Sequence, residues 1–303
     1  MATRNFVSPE KRQIGAHPAR SHAYKKRTIE VMTLKFSIIT PSYNQGGFIE
    51  QTILSVARQP GVEKEHFVID GKSTDGTIDV LKKYSHLTWV SEKDHGQADA
   101  LNKGLKLATG DIVGWINSDD YYEDGIFESV ARCFEDPNIM WVIGNLAYVF
   151  DSTQEVFKDT SPLVTYQQLL RDPDIVRQQP TFFRREFLSR VGGWNSTYFM
   201  VMDYDLWVRL TKESAPKMVD ETWAYFRFHA LQKTSHANIL RQCHEMNQIL
   251  KREHAGLNVR LRISLRKHSE WLKGLIKSHL ISVGLLNKRY QSRPIRIKPR
   301  DGE

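Results

Sequence analysis

The stretch Thr109–Tyr122 reads TGDIVGWINSDDYY, and it decides the fold. A short apolar run, Ile112–Ile116, ends abruptly in polar residues, which is typical of a buried strand. Carboxylates at the exit of a buried strand lie where open α/β sheets bind their ligands. Asp119 and Asp120 carry the hard oxygen atoms that Mg²⁺ and Mn²⁺ prefer. The alternative interpretation is a polar turn that caps a following helix at Asp124.

Strands and helices alternate around this stretch. The sequence predicts strands at Lys35–Thr40, His66–Asp70, Leu87–Val90 and Ile112–Ile116. Helices are predicted between them, after Gly46-Gly47, after the turn 71–77, and at Gly96–Ala108. This alternation predicts a parallel sheet with right-handed crossovers, and so an α/β fold.

Three of these strands end in polar, turn-forming clusters at 40–44, 70–75 and 117–120. The carboxyl ends of parallel strands share one edge of a sheet, so the clusters should lie close together. The first two offer groups for a base, a ribose and phosphates, and the third offers a metal site. The pattern indicates a nucleotide site, although Gly71-Lys72-Ser73 lacks the upstream glycine spacing of a P-loop.

The motifs TPSYN at 40–44, IDGKSTDGT at 69–77 and NSDD at 117–120 occur in this order. With them, residues 35–250 resemble the family 2 glycosyltransferases of the GT-A fold. The resemblance implies a three-layer α/β/α sandwich with a mostly parallel central sheet. It also implies an inverting transferase that takes its sugar from a nucleotide-diphospho-sugar, with a UDP-sugar as the expected donor.

The resemblance further implies which residues bind the donor. Asp70 is expected to accept a hydrogen bond from the base edge or the ribose. Asp119 is expected to bind Mg²⁺ or Mn²⁺ directly, with Asp120 and His229 as further ligands. Asn117 stands where the family often has the first Asp of an Asp-x-Asp motif, which would weaken the charge around the ion. The expected donor-binding residues are Thr40, Pro41, Tyr43, Asn44, Asp70, Ser73, Lys93, Gly96, Asn117, Ser118, Asp119, His229 and Lys233.

Asp203 is the expected catalytic base. It stands at the Asp of the family's Glu-Asp position, where Met202 replaces the Glu. An inverting transfer needs one carboxylate to deprotonate the acceptor hydroxyl as that hydroxyl attacks C1 of the sugar. The alternative role for Asp203 is that of a helix N-cap, and Asp205, two residues on, should face elsewhere.

The second half of the chain is expected to shape the acceptor side. Strands are predicted at Trp141–Phe150, Gln179–Phe183 and Thr222–His229. The loop from His229 through Lys233 resembles one that covers the diphosphate in the family, although a plain surface histidine is the alternative. The sequence lacks the Gln-x-x-Arg-Trp motif of processive synthases, so a single addition is expected. The expected acceptors are surface polysaccharide, lipopolysaccharide or another glycoconjugate, including a lipid-linked one.

The net charge of +8 is unevenly distributed over the 303 residues. Residues 1–35 carry eight Lys/Arg and two acids, and residues 258–303 carry twelve and three, so the middle of the chain has seven more acids than bases. The two cysteines form no disulfide framework, which favours a reducing compartment. No apolar stretch reaches the roughly 18–20 residues of a membrane span. A cytoplasmic location is expected, with contact to the inner face of the membrane left open.

The C-terminal region is both basic and apolar. One predicted helical face has Lys273 and Lys277 beside a row of apolar residues, Leu272, Ile276, Leu280 and Val283. This pattern fits either a helix on an anionic membrane surface or a packing helix with a solvated basic face. No RNA- or DNA-binding motif is present, so no nucleic-acid partner is expected.

These patterns predict a basic flexible segment at 1–34, a GT-A domain at 35–255 and a basic amphipathic extension at 256–303. Within the domain, 35–122 is the expected nucleotide half and 123–255 the acceptor half. Two other functional classes of protein remain open. A sugar nucleotidyltransferase would need a glycine-rich, basic loop after the first strand, which Pro41–Asn44 does not provide. A non-catalytic binding protein of the same fold would be insensitive to Asp203→Asn.

Overall fold

The structure, a computed structural model, describes residues 34–150, 155–229 and 238–282, with side chains to residue 276. The strands are β1 (Phe36–Ser42), β2 (Lys64–Asp70), β3 (Leu87–Ser91), β4 (Ile112–Trp115), β5 (Tyr121–Tyr122), β6 (Trp141–Phe150), β7 (Val156–Asp159), β8 (Thr181–Arg184) and β9 (Lys217–Phe228). The helices are α1 (Ile49–Ala57), α2 (Thr77–Leu81), α3 (Gln97–Leu107), α4 (Ile126–Cys133), α5 (Tyr166–Arg171), α6 (Arg185–Arg190), α7 (Met202–Glu213), α8 (Ile239–Arg252) and α9 (Leu257–Ser282).

In these described ranges the strands form one sheet in the order β3-β2-β1-β4-β8-β6-β9-β5, and β7 pairs with β6 outside this path. β1 pairs in parallel with β2 and β4, and β2 pairs in parallel with β3. The parallel arrangement predicted for the first four strands is confirmed. β8 then runs antiparallel to both β4 and β6, and β9 runs parallel to β6. The complete sheet is therefore mixed.

Side chains of β2 alternate between two helical layers. Val68 packs with Ile49 of α1 on one face of the sheet. Phe67 and Ile69 belong to the cluster on the opposite face, which includes Leu101 of α3. Successive strand residues point to opposite faces, so one strand serves both layers. Full burial of each such side chain contributes about 1.5–3 kcal/mol. The three-layer sandwich is built in this way.

Gly114 leaves room for side chains of the two strands that flank β4. A Cβ at this position would come within 2.7 Å of Cε1 of Phe182 on β8 and 2.8 Å of Cδ1 of Ile38 on β1. Any larger residue would clash with these two side chains. Because β8 is antiparallel to β4, the residues just before β8 lie beside the residues that follow β4. This pairing brings two distant segments of sequence to one edge of the sheet.

The C-terminal half differs in detail from the prediction. β9 begins at Lys217 rather than at Thr222, because its first residues pair with β6 although they are largely polar. The short elements β5, β7 and α5 carry no clear sequence period. The helical C-terminal extension is present as α9. Within the described part of the chain, no helix combines the length and the apolar character needed to cross a membrane. The predicted segment 1–34, apart from Leu34, and residues 283–303 lie outside the described residues.

Candidate active site

The turn after β4 is organised around the side chain of Asn117. Its Oδ1 accepts hydrogen bonds from Gln97 Nε2 at 2.6 Å and from Trp115 Nε1 at 3.0 Å. Its Nδ2 donates to Gln178 Oε1 at 3.0 Å and to Asp120 Oδ2 at 3.2 Å. The amide therefore uses its donors and its acceptor within the protein. An aspartate here would place a second carboxylate against Asp120.

Asp120 is buried and committed to protein contacts. Its Oδ2 also accepts a hydrogen bond from Gln179 Nε2 at 2.8 Å, and its Oδ1 accepts the backbone N–H of Arg227 at 3.1 Å. Burial, and then the carboxylate of Asp119, raise the pKa of Asp120 well above its ordinary value. The carboxyl group of Asp120 thus fixes the turn to β8 and β9.

Asp119, the preceding residue, has a different environment. Its side chain is 19% exposed, and its Oδ2 lies 3.0 Å from Nε2 of His229. The ring of His229 lies 4.2 Å from the ring of Phe48, measured between centroids. The residue that follows β9 therefore contacts the turn after β4, and the start of α1 supports the imidazole.

The ends of β1 and β2 are joined through Asp70, which is fully buried. Its Oδ1 accepts a hydrogen bond from Ser73 Oγ at 2.5 Å, and its Oδ2 accepts one from Ser91 Oγ at 2.6 Å. Ser73 Oγ in turn accepts the backbone N–H of Asn44 at 2.7 Å. Asn44 and Lys72 adopt left-handed backbone conformations, with φ of 52° and 68°. Such strained positions concentrate at functional sites.

Tyr43 presents an aromatic ring at the end of β1, with 60% of the residue exposed. Gly71 lies beside it, because a Cβ on Gly71 would be 3.4 Å from Cδ2 of Tyr43 and 2.8 Å from Oδ2 of Asp94. In the same turn, Ser42 Oγ and Gln45 Oε1 are buried and have no hydrogen-bond partner among the described residues. Buried polar atoms usually have a partner, so these two atoms are suited to a ligand.

Thr40 and Pro41 are buried within β1. The hydroxyl of Thr40 faces His66, at 2.9 Å from Nε2. Burial, and then the nearby His86, lower the pKa of His66 to about 3, so His66 is neutral at physiological pH. The Thr40 side chain therefore links β1 to β2 through this contact.

The remaining predicted donor residues are Ser118, Lys93, Gly96 and Lys233. Ser118 is buried, and its carbonyl accepts a hydrogen bond from Thr52 Oγ1 at 3.0 Å. Lys93 is exposed and Gly96 is half-buried. Lys233 lies outside the described residues. The roles expected for all of these residues stay predictions.

Asp203 lies in the first turn of α7, half-buried. Its Oδ1 accepts the backbone N–H of the next residue at 2.8 Å, and the N-cap of α7 is Val201 instead. Phe199, in the segment before α7, lies against Gly96, because a Cβ on Gly96 would be 3.5 Å from Cδ2 of Phe199. Gly96 precedes Gln97, whose side chain donates to Asn117 Oδ1. The segment before α7 therefore contacts the start of α3.

Asp205 faces the protein interior. It is fully buried, and it accepts hydrogen bonds from Arg209 Nε at 2.8 Å and Arg252 Nη1 at 2.5 Å. Arg252 belongs to α8, so this carboxylate ties α7 to α8.

Sequence patterns alone do not identify Gln178, Gln179, Arg227 and Phe48 as part of this site. Each contacts one of the predicted residues after β4 or β9. The available signal is a Gln-Gln pair directly before a buried strand. Its meaning depends on the pairing of β8 with β4, which no local pattern specifies.

The donor set fits a divalent ion that is shared with a ligand. Among the described residues, no group of three or more His, Cys, Asp or Glu side chains lies close enough to hold a metal alone. Asp119 Oδ2 and His229 Nε2 are 3.0 Å apart, which matches neighbouring ligands of an octahedral ion with bonds of about 2.1 Å. Ions such as Mg²⁺ commonly use one or two protein ligands and complete their shell with phosphate oxygens and water.

Comparison with known proteins defines the class. The model of glycosyl transferase family 2 matches residues 37–192, just over half of the chain. The chain therefore belongs to glycosyltransferase family 2. Its fold is the GT-A-type α/β fold that the sequence predicts.

Two relatives show how far the similarity extends. The poly(ribitol-phosphate) β-N-acetylglucosaminyltransferase TarS of Staphylococcus aureus is 30% identical over 175 residues, which are 55% of this chain but only 30% of TarS. A PGL/p-HBAD biosynthesis glycosyltransferase of Mycobacterium bovis is 29% identical over 181 residues, 57% of this chain and 68% of that protein.

Solved structures support the same fold. S. aureus TarS residues 1–349 in complex with UDP-GlcNAc superimposes with a TM-score of 0.55 at 19% identity, covering 85% of this chain and 78% of that one. The mannosyltransferase PcManGT of Pyrobaculum calidifontis, in complex with GDP-Man and Mn²⁺, gives a TM-score of 0.56 at 18% identity, covering 86% and 83%.

Proposed function

We propose that this protein transfers a sugar from a nucleotide-diphospho-sugar, with UDP as the nucleotide, to a hydroxyl group of a cell-surface glycan or another glycoconjugate. The Asp119–His229 pair carries the proposal, because it joins the ends of β4 and β9 at the sheet edge where α/β folds bind ligands. The UDP-GlcNAc complex of TarS supports UDP as the nucleotide. The poly(ribitol-phosphate) acceptor in the name of TarS supports a surface polymer.

Asp119 and His229 would hold a divalent ion, with Mn²⁺ suited to the mixed oxygen and nitrogen ligands. Such an ion would offset the negative charge that develops on the diphosphate leaving group. Asp120 would act through its hydrogen bonds, because both of its oxygens already accept donors from the protein. The Mn²⁺ complex of PcManGT supports a metal in this fold.

Asp203 would act as the base. Its carboxylate takes the proton of the acceptor hydroxyl while that oxygen forms a bond to C1 of the sugar, and the bond from C1 to the diphosphate oxygen breaks. Attack from the face opposite the leaving group inverts the configuration at C1. Its position in the first turn of α7, four residues after Phe199, which lies against Gly96 at the start of α3, supports this role.

The nucleotide would lie along the ends of β1 and β2. Tyr43 offers an exposed ring for the base, and the Asp70–Ser73–Asn44 hydrogen bonds hold the two loops in a strained shape before any ligand binds. Preorganisation of this kind lowers the entropic cost of binding. We further propose that residues 35–122 form the nucleotide half and 123–255 the acceptor half, and that one sugar is added per encounter.

We place the protein in the cytoplasm. Both cysteines, Cys133 and Cys243, are buried and free. Free cysteines persist in a reducing compartment, where the donor would also be available.

Calorimetry tests this function. UDP, GDP and dTDP are titrated into the protein with and without Mn²⁺, and the titrations are repeated with Asp119→Ala and with the matched surface control Asp79→Ala. We expect Mn²⁺ to strengthen UDP binding by about tenfold or more, and this gain to disappear only in Asp119→Ala. Absence of nucleotide binding in the wild type would refute the proposed donor site.

A further inference from the structure

Helix α9 exposes a row of apolar side chains on one face, which the exposed His268 interrupts. These side chains, here called the leucine stripe, are Leu257, Leu261, Leu265, Leu272, Leu275 and Ile276. Their exposed fractions range from 45% for Leu275 to 70% for Leu265. Spacings of three, four and seven residues put them on one face of a helix. Soluble surfaces rarely leave such a long apolar row in water.

The opposite face of α9 attaches the helix to the domain, so the stripe points outward. Ile263 is buried in the main core, and Lys267 is 5% exposed. Lys267 Nζ lies 2.9 Å from Asp174 Oδ2, and Arg266 pairs with Asp172 at 3.1 Å. Ordinary amphipathic packing would turn the leucines inward and the lysines outward. In α9 six apolar side chains are exposed while Lys267 is buried.

The charge of α9 indicates what kind of surface the leucine stripe can bind. The sequence of Leu257–Ser282 contains six Lys or Arg and a single acid, Glu270. Glu270 is half-buried and pairs with Lys267 at 3.3 Å. Among the side chains described, up to residue 276, Arg262 and Lys273 are exposed and Arg260 is half-buried. A second copy of this helix would bring like charges together, whereas an anionic surface would neutralise them.

We propose that α9 lies on an anionic lipid bilayer, with the leucine stripe inserted at the boundary between headgroups and acyl chains. Exposed leucines flanked by basic residues are the pattern of interfacial helices. Anionic headgroups attract each nearby basic residue. The helix lies beyond residues 37–192, which match the family model, and it contributes none of the residues assigned here to donor binding or catalysis.

The anchor of α9 is close to the candidate active site. Asp174, which pairs with Lys267, is five residues from Gln179, which bonds Asp120. Five residues span at most about 18 Å even when fully extended. The segment 174–179 therefore links the anchor of α9 to the side chain that holds Asp120.

Vesicle flotation with the full chain tests the proposal. Phosphatidylcholine vesicles with and without phosphatidylglycerol are compared for the wild type, for Leu265→Ser/Leu272→Ser, and for the matched control Val156→Ser/Phe157→Ser, which removes two exposed apolar residues of β7. We expect binding to the anionic vesicles only, weakened about tenfold or more by the α9 change. The control should bind within about twofold of the wild type.

Two further measurements keep the result interpretable. UDP binding and the melting temperature should be unchanged in the α9 variant, because the substituted residues are exposed. Arg262→Gln/Lys273→Gln should weaken flotation and make it less sensitive to salt. The proposal is overturned if the wild type does not float with anionic vesicles. It is also overturned if the α9 variant floats like the wild type, or if that variant only converts a dimer to a monomer in light scattering.

Discussion

Two closely spaced acid pairs, Asp119–Asp120 and Asp203–Asp205, have the same internal contrast. In each pair one carboxyl group is buried and bonded to distant parts of the chain, while its partner is more exposed. Asp120 bonds to residues at β8 and β9, and Asp205 bonds to Arg209 and Arg252. The side chain of Asp119 is 19% exposed, and Asp203 is half-buried.

The contrast shows how one segment can hold both a carboxyl group that fixes the backbone and a carboxyl group that is available for binding or catalysis. A buried carboxylate must have partners, and those partners fix the backbone on which the neighbouring carboxylate stands. The buried acids should therefore control stability, and the more exposed acids should control binding and rate. The following changes separate these effects.

Asp203→Asn should have the largest effect, on rate alone. Loss of the base should slow the release of UDP from a UDP-sugar about 10³-fold, equivalent to about 4 kcal/mol of transition-state stabilisation. Affinity for UDP and the melting temperature should stay close to wild type, because Asp203 is half-buried and near the surface. Coupled-enzyme detection of UDP gives the rate, and an unchanged rate would contradict the role of Asp203.

Asp205→Ala should act on stability. It leaves Arg209 and Arg252 without their buried partner, which should lower the free energy of unfolding by about 3 kcal/mol. Urea denaturation measures this loss. Asp203→Ala is the matched control, with an expected loss below about 1 kcal/mol. Equal losses in the two variants would remove the distinction between the members of this pair.

Ser73→Ala tests the nucleotide half, where a third buried carboxyl group, Asp70, also has a positioning role. The change removes the hydrogen bond to Asp70 and the acceptor for Asn44 N–H, which should cost about 2 kcal/mol of stability. Binding of UDP should weaken as well, because the loop loses its preset shape. Thr74→Ala, which removes an exposed hydroxyl from the same loop, should leave both quantities near wild type.

His66 extends the comparison to a buried group without a counter-charge. Its pKa is lowered to about 3 by burial and then by His86, whereas the unfolded chain has an ordinary histidine pKa. Between these values the unfolded state binds more protons, so stability falls as pH decreases below about 6.5. From pH 7.5 to 5.5 the contribution of His66 to the free energy of unfolding should fall by about 1 kcal/mol. His66→Gln should remove that part of the pH dependence in urea titrations.

The parallel half of the fold follows from local patterns. The apolar run at 112–116 and the alternation around it predict the existence and the parallel direction of β1 to β4. The polar clusters at the strand ends then locate one edge of the site. Local information suffices here because each βαβ unit closes within a short stretch of chain.

The division of roles within each acid pair cannot be read from local patterns. Whether Asp119 or Asp120 is buried depends on Gln179 and Arg227, which β8 and β9 bring from far along the chain. The orientation of α9 also depends on a contact between residues that are far apart in the sequence. Its leucines would pack inward by amphipathicity alone, but Asp174 draws Lys267 to the inner face instead. Long-range pairing decides both outcomes.

Anomalous diffraction from crystals grown with UDP and Mn²⁺ tests the central claim most directly, because it locates the ion relative to all four acids. We predict a manganese peak within about 2.5 Å of Asp119 Oδ2 and His229 Nε2, with Asp120 outside the coordination shell and still bonded to Gln179. A peak coordinated by Asp120, or one that does not contact Asp119, would contradict the division between structural and chemical carboxylates.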